Sequence, residues 1–143
     1  MNSLRPPPDP NEADEALDIS RNAFYYFVEA LLILAGDAEA QCRRVGDYNV
    51  AWELLDDVSA GAYLAGKGVL TPAEETAVNA LVDALAHFPR SDLINGAGRA
   101  ANLADMQHAA WIPLRMHAAQ LHEFLLPAIE RNNTALGISS GAT

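Results

Sequence analysis

The sequence predicts an all-α protein folded as a single antiparallel bundle of four to five main helices. Apolar residues recur at three- and four-residue spacing through several long segments, and half of the 143 residues are apolar. No run of β-branched residues alternates with polar ones, as a half-buried strand requires. A chain of this length corresponds to one domain, and the short connections favour antiparallel neighbours.

The first helix is predicted over residues 11–34, because its apolar residues fall on one helical face. They include Leu17, Phe24, Phe27, Val28, Leu31 and Leu34. Acidic residues in its first turns favour the positive end of the helix dipole. Gly36 interrupts the pattern, and a second, short helix is predicted over residues 38–45.

A third helix is predicted over residues 49–65, where it ends at a glycine-bearing stretch. The fourth helix has the clearest start, since Thr71, Pro72 and Glu74 have the spacing of a capping box with proline at the first helical position. It ends near Phe88, before a proline. Residues 89–101 then form the one long linker of the predicted fold.

The last helical region covers residues 102–132, and Pro113 and Pro127 interrupt it because proline lacks the backbone donor of a helix interior. One helix is predicted over 102–110 and another beginning near Pro113. The bundle domain is therefore assigned to residues 12–132, between a flexible proline-rich leader, 1–11, and a flexible tail, 133–143.

The charge of the chain restricts its partners. Asp and Glu number 19 against nine Lys and Arg, which gives a formal net charge of −10. Such a surface repels nucleic acid and anionic membranes and attracts basic proteins. The longest apolar run, 23–35, is too short to span a bilayer. No signal peptide is recognisable, and the lone Cys42 is expected to be a buried thiol, so a soluble cytoplasmic protein is predicted.

The strongest cluster of polar residues lies in the third helix. Glu53, Asp56 and Asp57 stand at i, i+3 and i+4 and therefore share one face. This face is either only a solvated surface or a docking surface for a basic partner. In the second case Tyr48 and Trp52, with Tyr63 nearby, are the candidate aromatic anchors, because hot spots are enriched in these residue types.

A metal site is the weaker alternative. Asp105 and His108 stand at i, i+3, and Glu29 is a carboxylate within an apolar helix. Di-iron bundles need a second such pair, which the chain lacks, so no metal and no other cofactor is predicted. Glu29 is expected on the solvent side of its helix, or paired with an arginine such as Arg115.

The segment Gly96–Ala101 matches the pattern G-x-G-x-x-A, which binds pyrophosphate when it follows a strand. No strand precedes it here, so it is predicted to be a flexible interhelical loop with Arg99 free to bind an anion. Neither a nucleophile elbow nor a Walker-type phosphate loop is present. The sequence therefore gives no indication of an enzyme.

A small, acidic, helical chain of this kind is similar in general character to bacterial immunity proteins and antitoxins, which bind basic toxins, often nucleases. The expected function is a protein-binding module that neutralises a basic partner, with no binding to nucleic acid or membranes. Two alternatives remain at this point. One is a small metal- or ligand-binding bundle, possibly enzymatic, and the other is a self-associating adaptor that forms a homodimer.

Overall fold

The computed structural model describes residues 10–138, and within this range the protein is all-helical, as predicted. The α-helices are α1 (Pro10–Ala35), α2 (Ala38–Val45), α3 (Val50–Ser59), α4 (Pro72–Ala86), α5 (Arg99–Met106), α6 (Trp111–Phe124) and α7 (Leu126–Leu136). Two 3₁₀ segments, Ala60–Leu64 and Arg90–Asp92, complete the regular structure of this range. Because the described range holds seven helices, the bundle of four to five is not confirmed.

Helix α1 lies at the centre of the fold and packs against α2, α3, α6, α7 and the segment Ala60–Leu64. Its side chains Phe24, Leu31 and Leu34 are fully buried. They join a single apolar core that includes Trp111 at the start of α6. The predicted apolar face of the first helix is thus the face that organises the domain.

The predicted start of the fourth helix is confirmed. The Thr71 hydroxyl accepts a hydrogen bond from the Glu74 backbone N–H at 3.2 Å, and the Glu74 carboxylate accepts one from the Thr71 N–H at 2.8 Å. Arg131 of α7 donates to the same carboxylate at 2.6 Å. The capping box therefore also ties α4 to α7.

The prediction of one helix over 49–65 is wrong at its end, because α3 stops at Ser59 and continues as the 3₁₀ segment Ala60–Leu64. In this segment Gly61 lies directly against α1. A Cβ atom on Gly61 would stand 2.5 Å from Cε1 of Phe27 and 2.9 Å from Cγ1 of Val78. Glycine therefore permits a backbone-to-ring contact that no other residue fits.

Two further boundaries differ from the prediction. The predicted linker 89–101 contains a 3₁₀ turn and already includes the first turn of α5. The last region forms three helices where two were predicted, because Pro113 and Pro127 both lie in first turns, of α6 and α7. The backbone N–H groups of the first turn have no acceptor within the helix. A proline at such a position therefore costs the helix no hydrogen bond.

Of the predicted leader only residues 10 and 11 are described, and of the predicted tail residues 133–138; the rest of both lies outside the described residues. Helix α1 already includes residues 10 and 11, and α7 continues to Leu136 before Gly137 ends it in the left-handed conformation. Across residues 10–138, none of the helices has the length and apolarity that crossing a membrane demands.

Candidate functional site

The acidic face of α3 consists of Glu53, Asp56 and Asp57, and all three side chains are exposed. The opposite side of the helix buries Leu54, Leu55, Val58 and the first residues of the helix in the core. The helix therefore separates its apolar and acidic residues as the spacing predicts.

Trp52, one of the two predicted anchors, is covered. The Arg90 guanidinium lies over its ring, 4.6 Å from the centroid, and Arg90 Nη1 is 3.8 Å from Oδ1 of Asp56. This stacking covers one face of the ring, and Trp52 is partly buried. The other predicted anchor, Tyr48, is 66% exposed and precedes α3.

An apolar groove, here called the α1 groove, runs between α1 and the segment from Asp57 to Lys67. Its cavity volume is about 620 Å³. Its walls include Ile19, Ala23, Tyr26, Ala30 and Ile33 of α1, and Asp57, Tyr63, Leu64 and Lys67 of the facing segment. Phe27 lies at its base, where Gly61 packs against the ring.

The α1 groove exposes large apolar and aromatic side chains. Ile19 is 71% exposed, Tyr26 68% and Tyr63 79%. Sequence reasoning named Tyr63 but missed the α1 side of the groove. The missed signal is a second apolar stripe on α1, since residues 19, 23, 26, 30 and 33 alternate steps of four and three.

Carboxylates stand on both walls of the α1 groove. Partial burial raises the pKa of Asp57, and the neighbouring charge of Asp56 raises it further. On the other wall Glu29 forms a 3.7 Å ion pair with Arg44, and its side chain remains 43% exposed. The groove therefore combines an apolar base with two carboxylates at its edges, beside Lys67.

The three weak metal candidates do not form a site. Asp105 accepts hydrogen bonds from the backbone N–H groups of Ile94 at 2.6 Å and Asn95 at 3.0 Å, so its buried carboxylate fixes a loop. His108 Nε2 lies 3.0 Å from Oδ2 of Asp92. Among residues 10–138, no set of three or more His, Cys, Asp or Glu side chains is placed to hold a metal ion.

Glu29 is partly exposed and pairs with an arginine, as expected, but the arginine is Arg44 and not Arg115. Arg115 donates to the Gln41 side-chain carbonyl at 2.9 Å and to the Met106 backbone carbonyl, and burial lowers its pKa. Gln41 in turn donates through Nε2 to the Leu34 carbonyl at 2.8 Å, at the end of α1. Arg115 therefore stabilises a cap of α1, and Glu29 pairs with an arginine of α2 instead.

The glycine segment is anchored, contrary to the prediction of a flexible loop with a free arginine. The Gly98 N–H donates to the Asp47 carbonyl at 3.0 Å, and Arg99 Nε donates to the Asp47 carboxylate at 2.6 Å. Arg99 is therefore paired with the Asp47 carboxylate of the same chain. Nearby Cys42 is fully buried, as predicted, and burial followed by the charge of Asp47 raises its pKa.

Comparison with known proteins adds no relative to this description. No protein-family model, no curated protein and no solved structure matches the chain. What the arrangement can do must therefore be argued from its chemistry. An exposed acidic helix face beside an open apolar groove suits a surface that carries both apolar and cationic groups.

Proposed function

We propose that the protein is a binding module that neutralises a basic partner protein, in the manner of an immunity protein or antitoxin directed against, for example, a nuclease toxin. The observation that supports this is the open acidic face of α3. Within residues 10–138, no Lys, Arg or His nitrogen lies within 4.0 Å of the carboxylates of Glu53 or Asp57, and Arg90 pairs with Asp56 alone.

The acidic face of α3 is electrostatically suited to binding a basic protein. Like charges at i, i+3 and i+4 cost helix stability, and a positively charged partner that faces them offsets this cost. A nuclease active site is positively charged because it binds phosphates, and carboxylates carry the same sign of charge as phosphates. Complementary charge also steers encounter, which raises association rates well above those of neutral surfaces.

Affinity capture followed by kinetics tests the proposal. The immobilised protein is incubated with lysate of its source organism at low and at high salt, and retained proteins are identified by mass spectrometry. The same capture is repeated with Asp56→Asn/Asp57→Asn and with the matched control Glu123→Gln/Glu130→Gln. The control removes two exposed carboxylates from α6 and α7, and so makes the same change in net charge.

We expect a basic partner that wild type and control retain at low salt and that the α3 variant loses. Its association rate constant with the α3 variant should fall about tenfold at low salt, and salt should reduce this difference. If both variants lost the partner equally, the effect would come from the net charge of the protein and not from the acidic face of α3. If the amount of captured partner changed neither with salt nor with the substitutions at Asp56 and Asp57, the proposal would be contradicted.

A further inference from the structure

The α1 groove has the residue spacing and length of a helix-binding groove. The stripe on α1 alternates steps of four and three residues, which is the spacing of helix–helix seams. From Ile19 to Ile33 it covers fourteen steps, or about 21 Å at 1.5 Å per residue. Tyr26 stands at the middle of the stripe, and more than half of its surface is exposed.

We propose that the α1 groove receives an amphipathic helix of the basic partner, whose apolar residues pack on Ile19, Ala23 and Tyr26 while a Lys or Arg side chain reaches Asp57. This inference rests on the proposed function and adds to it the kind of element that docks. Helices bind such grooves through apolar anchors at i, i+3, i+4 and i+7.

The charges that line the α1 groove favour a partner helix with basic residues. Asp57, the one residue of the acidic face that lines the groove, lies on one wall with Lys67, and Glu29 lies on the other. Glu29 has a partner in Arg44, 3.7 Å away, whereas Asp57 has no ion pair in the described part of the chain. A cation beside Asp57 would therefore meet an uncompensated carboxylate at the edge of an apolar surface, where an ion pair is screened less than in open solvent.

A second copy of the chain fits the groove less well. Each copy has a formal net charge of −10. Two bodies that each carry this negative charge repel one another, whereas a basic helix is attracted, so a basic helix is the better complement.

The probe for this proposal is a synthetic amphipathic peptide of about 15 residues, with leucines at three- and four-residue spacing and lysines flanking them. It carries a fluorophore, and binding to the full chain is measured by fluorescence anisotropy. A peptide of identical composition in scrambled order keeps the charge and loses the apolar face. Tyr26→Ala and Asp57→Asn test the groove, and Ile112→Ala removes a similarly exposed apolar residue from α6 as a control.

We expect saturable binding of the amphipathic peptide and much weaker binding of the scrambled one. Tyr26→Ala should weaken the affinity about 30-fold, as for a hot-spot aromatic residue. Asp57→Asn should weaken it about fivefold, the size of a single ion pair. Ile112→Ala should leave the affinity unchanged.

Three results would overturn the proposal: equal affinity for both peptides, binding unaffected by Tyr26→Ala, or no saturable binding up to about 1 mM. A wild-type dimer in sedimentation that Tyr26→Ala converts to monomer would assign the groove to a second copy and overturn it as well. If any of these occurs while capture of a basic partner still depends on Asp56 and Asp57, only the groove proposal fails. If that capture fails, the proposed function fails.

Discussion

The side chain of Asn102 caps a helix that begins 52 residues earlier in the chain. Its Oδ1 accepts a hydrogen bond from the Val50 backbone N–H, in the first turn of α3, at 2.9 Å. Asn49 occupies the N-cap position itself in the left-handed conformation and makes no side-chain cap. Asn102 Nδ2 donates to the carbonyls of Gly96 at 3.2 Å and Gly98 at 2.8 Å. One buried amide thus joins α3, α5 and the glycine segment.

Asn102→Ala should lower the free energy of unfolding by about 2–3 kcal/mol, because it removes the α3 cap and leaves a buried N–H without a partner. Urea denaturation followed by circular dichroism measures this. Asn22→Ala is the matched control, since its exposed amide bonds only to the Asp18 carbonyl within α1, and it should change stability by less than about 0.5 kcal/mol. Equal effects of the two substitutions would show that Asn102 is not a cap.

Gly61→Ala should destabilise the protein by about 1–3 kcal/mol, because the added methyl group overlaps the Phe27 ring at the base of the α1 groove. In a Phe27→Leu background the same substitution should cost less, since the ring atoms that clash are gone. A double-mutant cycle by chemical denaturation measures the coupling. Additive effects would mean that the contact between Gly61 and Phe27 does not limit packing.

Glu74→Gln tests the charge of the capping box, because glutamine retains the capping geometry. Burial acts to raise the Glu74 pKa, but hydrogen bonds from Thr71 and the Arg131 guanidinium together lower it below its usual value. A lowered folded-state pKa means that the ionised carboxylate adds stability above pH of about 4.3, and that this contribution is lost as the pH falls through the folded-state pKa.

Wild type should therefore exceed Glu74→Gln in stability by about 1 kcal/mol at neutral pH. The difference should shrink in acid, below a pH of about 4. Denaturant unfolding of both proteins across this range is the measurement. Glu53→Gln, at an exposed position in the first turn of α3, shows how much an exposed acidic residue of a first turn contributes. A difference that grew on acidification would have the wrong sign for a lowered pKa.

Arg90→Gln should strengthen the acidic face of α3, because it removes the one cation paired with Asp56. We expect about a twofold faster association with a basic partner at low salt, and no difference at about 1 M salt, where screening is nearly complete. Removing the guanidinium also uncovers Trp52, so its fluorescence should shift to longer wavelength. Arg43→Gln makes the same charge change on α2. If it raised the association rate equally, the effect would come from net charge and not from the acidic face of α3.

Local signals in the sequence were sufficient for much of the fold. The capping box at Thr71 fixed the start of α4 because its hydrogen bonds join residues three apart. The carboxylates of α3 fall on one face because helical geometry alone decides their azimuth. The pattern of the last region predicts that its two prolines interrupt helices, whereas in the structure each lies in a first turn, where proline is tolerated. Local sequence does not distinguish these two cases without the packing of neighbouring helices.

The sequence by itself determined that the protein is helical and acidic and that Glu53, Asp56 and Asp57 share one face, since these properties depend on composition and on contacts within four residues. Tertiary structure alone decided that Arg90 covers Trp52, that Asn102 caps α3 and that α1 and the segment after Asp57 enclose a groove. Each of these contacts joins residues far apart in the chain. Their meeting depends on how the whole core packs, which periodicity within one helix does not specify.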